Sequence, residues 1–188
     1  NYMIQQKDDS KTTYQFDEKQ LMQTTGKKMY APVNGGFGVA VTYRNVSLDL
    51  AFSYSLGKWL INEDKYYTLN QGSFGAKNFS KDLLNYWKQE GDDTELPRLN
   101  SAYYMRKDTR LLENASYMRL KSASISYAIP QELIDQMKFF SGVRIYASAR
   151  NIFTLTKYSG ADPEFSNTLS RGGYPPTRQF TMGVELKF

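Results

Sequence analysis

Over the last ten residues Phe180, Met182, Val184, Leu186 and Phe188 alternate with Thr181, Gly183, Glu185 and Lys187. A period of two sends every apolar side chain to one face of an extended strand and every polar one to the other, so this stretch separates two unlike media. A soluble β-sandwich gives the same alternation, because its strands also lie between a core and water. Phe188 ends the sequence on the apolar face, and an aromatic residue there suits the girdle of a membrane barrel at the water boundary.

The same signal recurs upstream. Phe37, Val39, Val41 and Tyr43 alternate with small and polar residues, Arg44 and Asn45 turn the chain, and Val46, Leu48, Leu50, Phe52, Tyr54 and Leu56 alternate again. That is a β-hairpin with a two-residue link. Its second strand carries about ten residues of alternation, the length a tilted membrane strand requires and longer than the usual ~5–6 of globular sheets. Gly142 to Thr156 sets Val143, Ile145, Ala147, Ala149, Phe153 and Leu155 against Arg144, Tyr146, Ser148, Arg150 and Thr154. Two arginines on one face are costly in a dry core and ordinary in a wet lumen. Ala115 to Ile129 is a further strand whose parity slips near Lys121: Met118 and Leu120 fall on the serine side, Arg119 and Lys121 on the apolar side. Either a bulge intervenes or the upper part of the strand has left the lipid.

Between these strands the connections alternate in length. Arg44-Asn45 and Pro130 to Ser141 are brief, the latter holding a helical turn over Gln131 to Phe139; Lys58 to Asn114 and Lys157 to Pro176 are long. Outer-membrane barrels have this asymmetry, with short turns in the periplasm and long loops outside. The first long loop is either functional or a small structure of its own. Within it Phe79, Leu83 and Trp87 recur at helical spacing after Asn78 or Ser80 as N-cap, predicting a short helix that ends at Gly91. Asp17 to Gly36 reads as a loop, and Asn1 to Phe16 as one interrupted strand or two short ones. The chain begins at Asn1 without Met, so it is expected to be a piece of a longer one.

Composition narrows the function classes. The 188 residues include 15 Tyr, 11 Phe and 2 Trp but neither His nor Cys. Cys/His metal sites, thiol chemistry and His-dependent triads are therefore absent from this chain, and no metal or cofactor is expected. No run approaches the ~20 apolar residues of a membrane helix, so any crossing must be by strands. A formal charge of +5 is modest and does not make a nucleic-acid footprint. The carboxylates Asp92, Asp93 and Glu95, beside Gly91 and Pro97, read as a solvated turn and not as a glycosidase pair, and no enzyme activity is expected.

Four collinear stretches carry a resemblance: GGFGVAVTYRNVSLDLAFSYSLGKWLIN (Gly35 to Asn62), LLENASYMRLKSASISYAIP (Leu111 to Pro130), RIYASARNIFTLTKYSGADPE (Arg144 to Glu164) and GYPPTRQFTMGVELKF (Gly173 to Phe188). The chain resembles the SusC/RagA-type TonB-dependent transporters of the Bacteroidetes outer membrane. The resemblance implies an all-β fold, residues 1–188 being the C-terminal portion of a transmembrane β-barrel of about 22 antiparallel strands with long extracellular loops. It implies uptake of oligosaccharide or peptide with a SusD-like surface lipoprotein, driven through TonB, ExbB and ExbD. The plug and the TonB box match no residue here. These strands must pair with others of the same transporter, since an open sheet edge in lipid is not viable.

Within that frame the lipid-facing residues are expected to include Leu48, Leu50, Phe52, Val143, Ile145, Phe180, Met182, Val184, Leu186 and Phe188, and the lumen-facing ones Arg144, Arg150, Glu185 and Lys187. Loop aromatics Tyr66, Tyr67, Phe74, Tyr103, Tyr104, Tyr158 and Tyr174 are the candidates for ligand contact, because sugars and peptides offer faces on which rings stack. For each of them packing within the loop, or contact with the SusD-like lid protein, is the plainer reading. The rival assignment is a secreted β-sandwich carbohydrate-binding module, in which the oily faces would be buried between two sheets.

Overall fold

The computed structural model describes residues 4–5, 12–13, 24–73, 78–94, 96–99, 107–137, 139–165 and 174–188. In chain order its elements are β1 (Ile4–Gln5), β2 (Thr12–Thr13), β3 (Val33–Tyr43), β4 (Val46–Leu56), β5 (Trp59–Ile61), α1 (Glu63–Leu69), β6 (Leu112–Asn114), β7 (Tyr117–Ala128), α2 (Gln131–Met137), β8 (Gly142–Thr156) and β9 (Gln179–Lys187). The long alternating stretches form one antiparallel sheet in the order β3-β4-β7-β8-β9. β1 pairs with β2 and β5 with β6 in separate two-stranded ribbons. The first ladder takes the two-strand option for the opening segment.

Register aligns the faces across the sheet. Val41, Leu48, Ile125, Ala147 and Met182 stand opposite one another in a continuous row, as do Tyr43, Val46, Tyr127, Ile145 and Val184. The intervening rows are polar: Ala40, Asp49, Ser124, Ser148 and Thr181, then Thr42, Ser47, Ser126, Tyr146 and Gly183. The apolar rows have no cover among the described residues. Val41, Ile145, Val184 and Phe180 are all exposed, Phe180 to 74 %. Leu50, Phe52 and Val143 are half-buried, where Phe37 stacks on Phe52 with centroids 4.9 Å apart. A facing second sheet, which the sandwich assignment requires, is not seen among the described residues.

β3 begins at Val33 and not at Phe37, which corrects the reading of Asp17 to Gly36 as loop throughout. Gly35 and Gly36 hide the alternation because they have no side chain. Tyr54 from β4 lies over Gly35, its hydroxyl 2.8 Å from where a Cβ would stand, so the neighbouring strand supplies the missing surface.

The slip at Lys121 is a bulge. Against β4, Ser122 pairs with Ala51 and Leu120 with Phe52, leaving Lys121 as the extra residue; against β8, Ser122 pairs with Arg150 and Leu120 with Phe153, so that Asn151 and Ile152 lie opposite Lys121. One unpaired residue resets the parity. Leu120 and Met118 therefore join Phe52 and Tyr54 on the apolar face, and Arg119 turns to the polar one.

The long connection from β4 to β7 is a small structure of its own. Leu69, Leu83 and Leu111 are buried together, with Ile61, Tyr66, Phe79 and Leu96 packed on them. Asn62 caps α1, its side chain accepting from Lys65 N–H at 3.0 Å. Sequence periodicity missed this seven-residue helix, and the helix expected after Asn78 or Ser80 and ending at Gly91 is a correction. Ser80 does act as N-cap, but only a 3-10 turn, Lys81–Leu84, follows. Trp87 N–H then donates to Leu96 O, so the segment that would extend the helix pairs with another stretch of the loop. Leu83 is already in the core after one turn, and further turns have no apolar surface to cover.

Candidate functional site

The polar face and the loop fixed to its upper end make up the candidate site. Arg144 and Glu185 pair across β8 and β9, with Nε to Oε2 at 3.8 Å. Arg150 and Lys187 share that face by register. Asp49 accepts from Ser124 Oγ at 3.4 Å across β4 and β7. It borders a shallow hollow lined by Gly38, Ala40, Ala51 and Ser122, whose small side chains leave the wall recessed. All four residues expected to face a lumen thus lie on one side of the sheet.

Above the bulge the polar face carries a buried ion network that sequence reasoning did not find. Arg119, 3 % exposed, donates through Nη2 to Asp162 Oδ1 at 2.5 Å, through Nη1 to Glu164 Oε2 at 2.6 Å, and through Nε to Thr154 Oγ1 at 2.8 Å. Lys121, on the bulge, reaches Glu164 at 2.7 Å. Glu164 N–H donates to Asp162 Oδ1, which shapes the turn between them. Lys58 Nζ donates to Pro163 O at 2.8 Å and Phe165 O at 2.5 Å. Burial holds the Lys58 ammonium below its ordinary pKa, and the Asp162 and Glu164 carboxylates oppose that shift. Together these contacts fasten residues 157–165 to β7 and to the start of the long loop. The sequence signal was there: two cations at a parity slip, and Asp162-Pro163-Glu164 to meet them.

A second polar cluster ties the same loop to the ribbon of β5 and β6. Glu113 accepts from Ser159 N–H at 2.8 Å and from Asn62 Nδ2 at 3.3 Å, and Asn62 Nδ2 also donates to Ser159 Oγ at 2.9 Å. The cap of α1 is therefore also a bridge between the two long loops.

Among the described residues the expected ligand aromatics do not converge on one site. Tyr158 is a correction: at 6 % exposure it packs with Leu60 and Ala115, against Met29 and Phe165, and presents no ring to a ligand. Tyr66 packs on the leucine cluster, its ring edge-on to Tyr67 at 5.1 Å and beneath Lys107 Nζ at 5.6 Å. Tyr174 is 95 % exposed. Phe74, Tyr103 and Tyr104 lie outside the described residues. No group of three or more metal-ligating side chains occurs among the described residues. Asp92 accepts from the N–H groups of Lys88 and Gln89 at 2.8 and 3.0 Å, and these bonds hold its carboxyl below the ordinary range. It closes a turn.

No protein-family model matches the chain. TonB-dependent receptor P3 of Formosa agariphila is 35 % identical over 165 residues, covering 81 % of this chain. SusC of Bacteroides thetaiotaomicron, a TonB-dependent receptor, is 31 % identical over 77 residues, 41 % of this chain and 8 % of SusC. The solved RagAB peptide importer in its open-open state superposes on 97 % of this chain and 20 % of its own, with TM-score 0.85 and 37 % identity. The chain belongs to the TonB-dependent receptors of the SusC/RagA type. It spans about one sixth of the length of receptor P3, 16 %. Its strands are those of a receptor of this type, and the receptor relatives are named as receptors and importers, not as enzymes.

Proposed function

We propose that this segment is the C-terminal part of the barrel wall of an outer-membrane nutrient importer of the SusC type. The apolar face of the five-stranded sheet lies against lipid and the polar face lines a plugged, water-containing lumen. Short connections at Arg44-Asn45 and around α2 stand in the periplasm, and the two long loops stand outside the cell. The rest of the transporter supplies the plug and the remaining strands, a SusD-like lipoprotein covers the loops, and TonB with ExbB and ExbD supplies the energy. The cargo is an oligosaccharide or a peptide. Likeness to the RagAB peptide importer favours peptide, and the exposed Tyr174 remains as a loop contact for it or for the lid.

One observation carries this reading: rows of large apolar side chains stay exposed on one face while serine, arginine and aspartate occupy the other. Placing Arg on the apolar face of the full-length receptor tests it. Leu48→Arg should weaken folding into vesicles by an amount set by its depth, at most the about 2–4 kcal/mol of a bilayer midplane, whereas Ser47→Arg on the opposite face should cost far less. Equal effects, or a receptor that purifies as a monomer without detergent, would falsify the assignment.

A further inference from the structure

The connection between β7 and β8 carries exposed apolar surface that a purely periplasmic turn does not need. In α2 the residues Gln131, Glu132, Asp135 and Gln136 share one arc, and Leu133 and Ile134 share the opposite one. Ile134 is 1 % exposed and fixes the helix to the protein, while its neighbour Leu133 is 49 % exposed. Beyond the helix Phe139 is 82 % exposed. Phe140 packs on Phe188, centroids 5.4 Å apart, and Phe188, itself 88 % exposed, continues the apolar face of β9. Ser141 locks this arrangement, its N–H donating to Lys187 O at 2.7 Å and its hydroxyl to Phe188 O at 3.2 Å.

We propose that Leu133, Phe139, Phe140 and Phe188 form an interfacial anchor that seats the short connection in the headgroup–acyl boundary of the inner leaflet. The inference rests on the barrel reading and adds a lipid contact to an element otherwise assigned to water. Continuity argues for lipid as the occupant: the Phe140–Phe188 contact joins the connection directly to the apolar face, and the exposed rings are of the kind that sits at membrane boundaries. The carboxylates Glu132 and Asp135 lie on the arc away from Leu133, where they can stay in water.

The test uses nitroxide labels on the full-length receptor, otherwise free of cysteine, in phosphatidylethanolamine–phosphatidylglycerol nanodiscs. Phe139→Cys is compared with Leu48→Cys as a lipid reference and Asp135→Cys as an aqueous one. Relaxation by oxygen and by a water-soluble nickel chelate should place position 139 between the two references, with oxygen favoured over nickel at least several-fold relative to position 135. The anchor is overturned if 139 matches 135 while 48 reads as lipid, or if 139 is shielded from both agents as in a protein contact. Should position 48 itself read as aqueous, the barrel reading fails and the anchor with it.

Discussion

Arg119 and Asp162 stand 43 positions apart in the chain and meet at 2.5 Å with both side chains almost withdrawn from solvent, 3 % and 7 % exposed. Two charges removed from water need each other, so deleting one is worse than deleting both. Arg119→Leu in the full-length receptor should cost about 3–5 kcal/mol, and Arg119→Leu combined with Asp162→Leu should recover part of it. Denaturant unfolding from vesicles measures this, and protease cleavage within residues 157–165 should rise in parallel. A single-variant cost below ~1 kcal/mol would place the pair among solvated ones.

The bulge is what allows that pair to form. Deleting Lys121 returns Arg119 to the apolar face, where an arginine costs about 2–4 kcal/mol and loses its carboxylates as well. The deletion should abolish the heat-modifiable folded band on gels. Lys121→Ser keeps the register and removes only a half-exposed ion pair, with a loss of about 0–1 kcal/mol. If both variants fold alike, the extra residue is not setting the face.

Gly57 joins β4 to β5 with φ +77°, and a Cβ there would lie 2.8 Å from Pro32 Cγ. Gly91 has φ +93° and open space around it. Gly91→Ala should therefore show only the left-handed backbone term, about 1–2 kcal/mol, and Gly57→Ala that term plus a steric one. The difference, read by hydrogen exchange across residues 57–61, isolates the Pro32 contact. No difference between the two would dismiss it.

Lys107 pairs with the buried carboxylate of Glu63 at the start of α1. That bond is the main reason the ammonium is lifted above its ordinary 10.5. A base whose folded pKa is raised adds stability that is complete below the unfolded value and fades as pH climbs through the folded one. Protection of α1 against exchange should hold from neutral pH up to the ordinary lysine value of 10.5 and fall as pH climbs above it. Lys107→Met should lose protection already at neutral pH, because Glu63 is left without its partner, and should show no further alkaline step. An identical alkaline step in Lys107→Met assigns the transition to another group.

By itself the sequence determined the strand faces, the Arg44-Asn45 hairpin and the division into short and long connections. Those depend on a period of two and on local turn chemistry, which neighbouring residues settle among themselves. Residues such as Arg144, Glu185, Leu48 and Ile145 could therefore be assigned to a side before any coordinates. Only the tertiary structure decided which way the bulge turned Arg119, that Tyr158 is core, and that Trp87 sits beyond a single 3-10 turn. Arg119 and Tyr158 hang on partners more than forty positions away, and Trp87 on a pairing with Leu96 and on the core that Leu83 shares with Leu69 and Leu111; helical or strand periodicity does not encode where such partners meet.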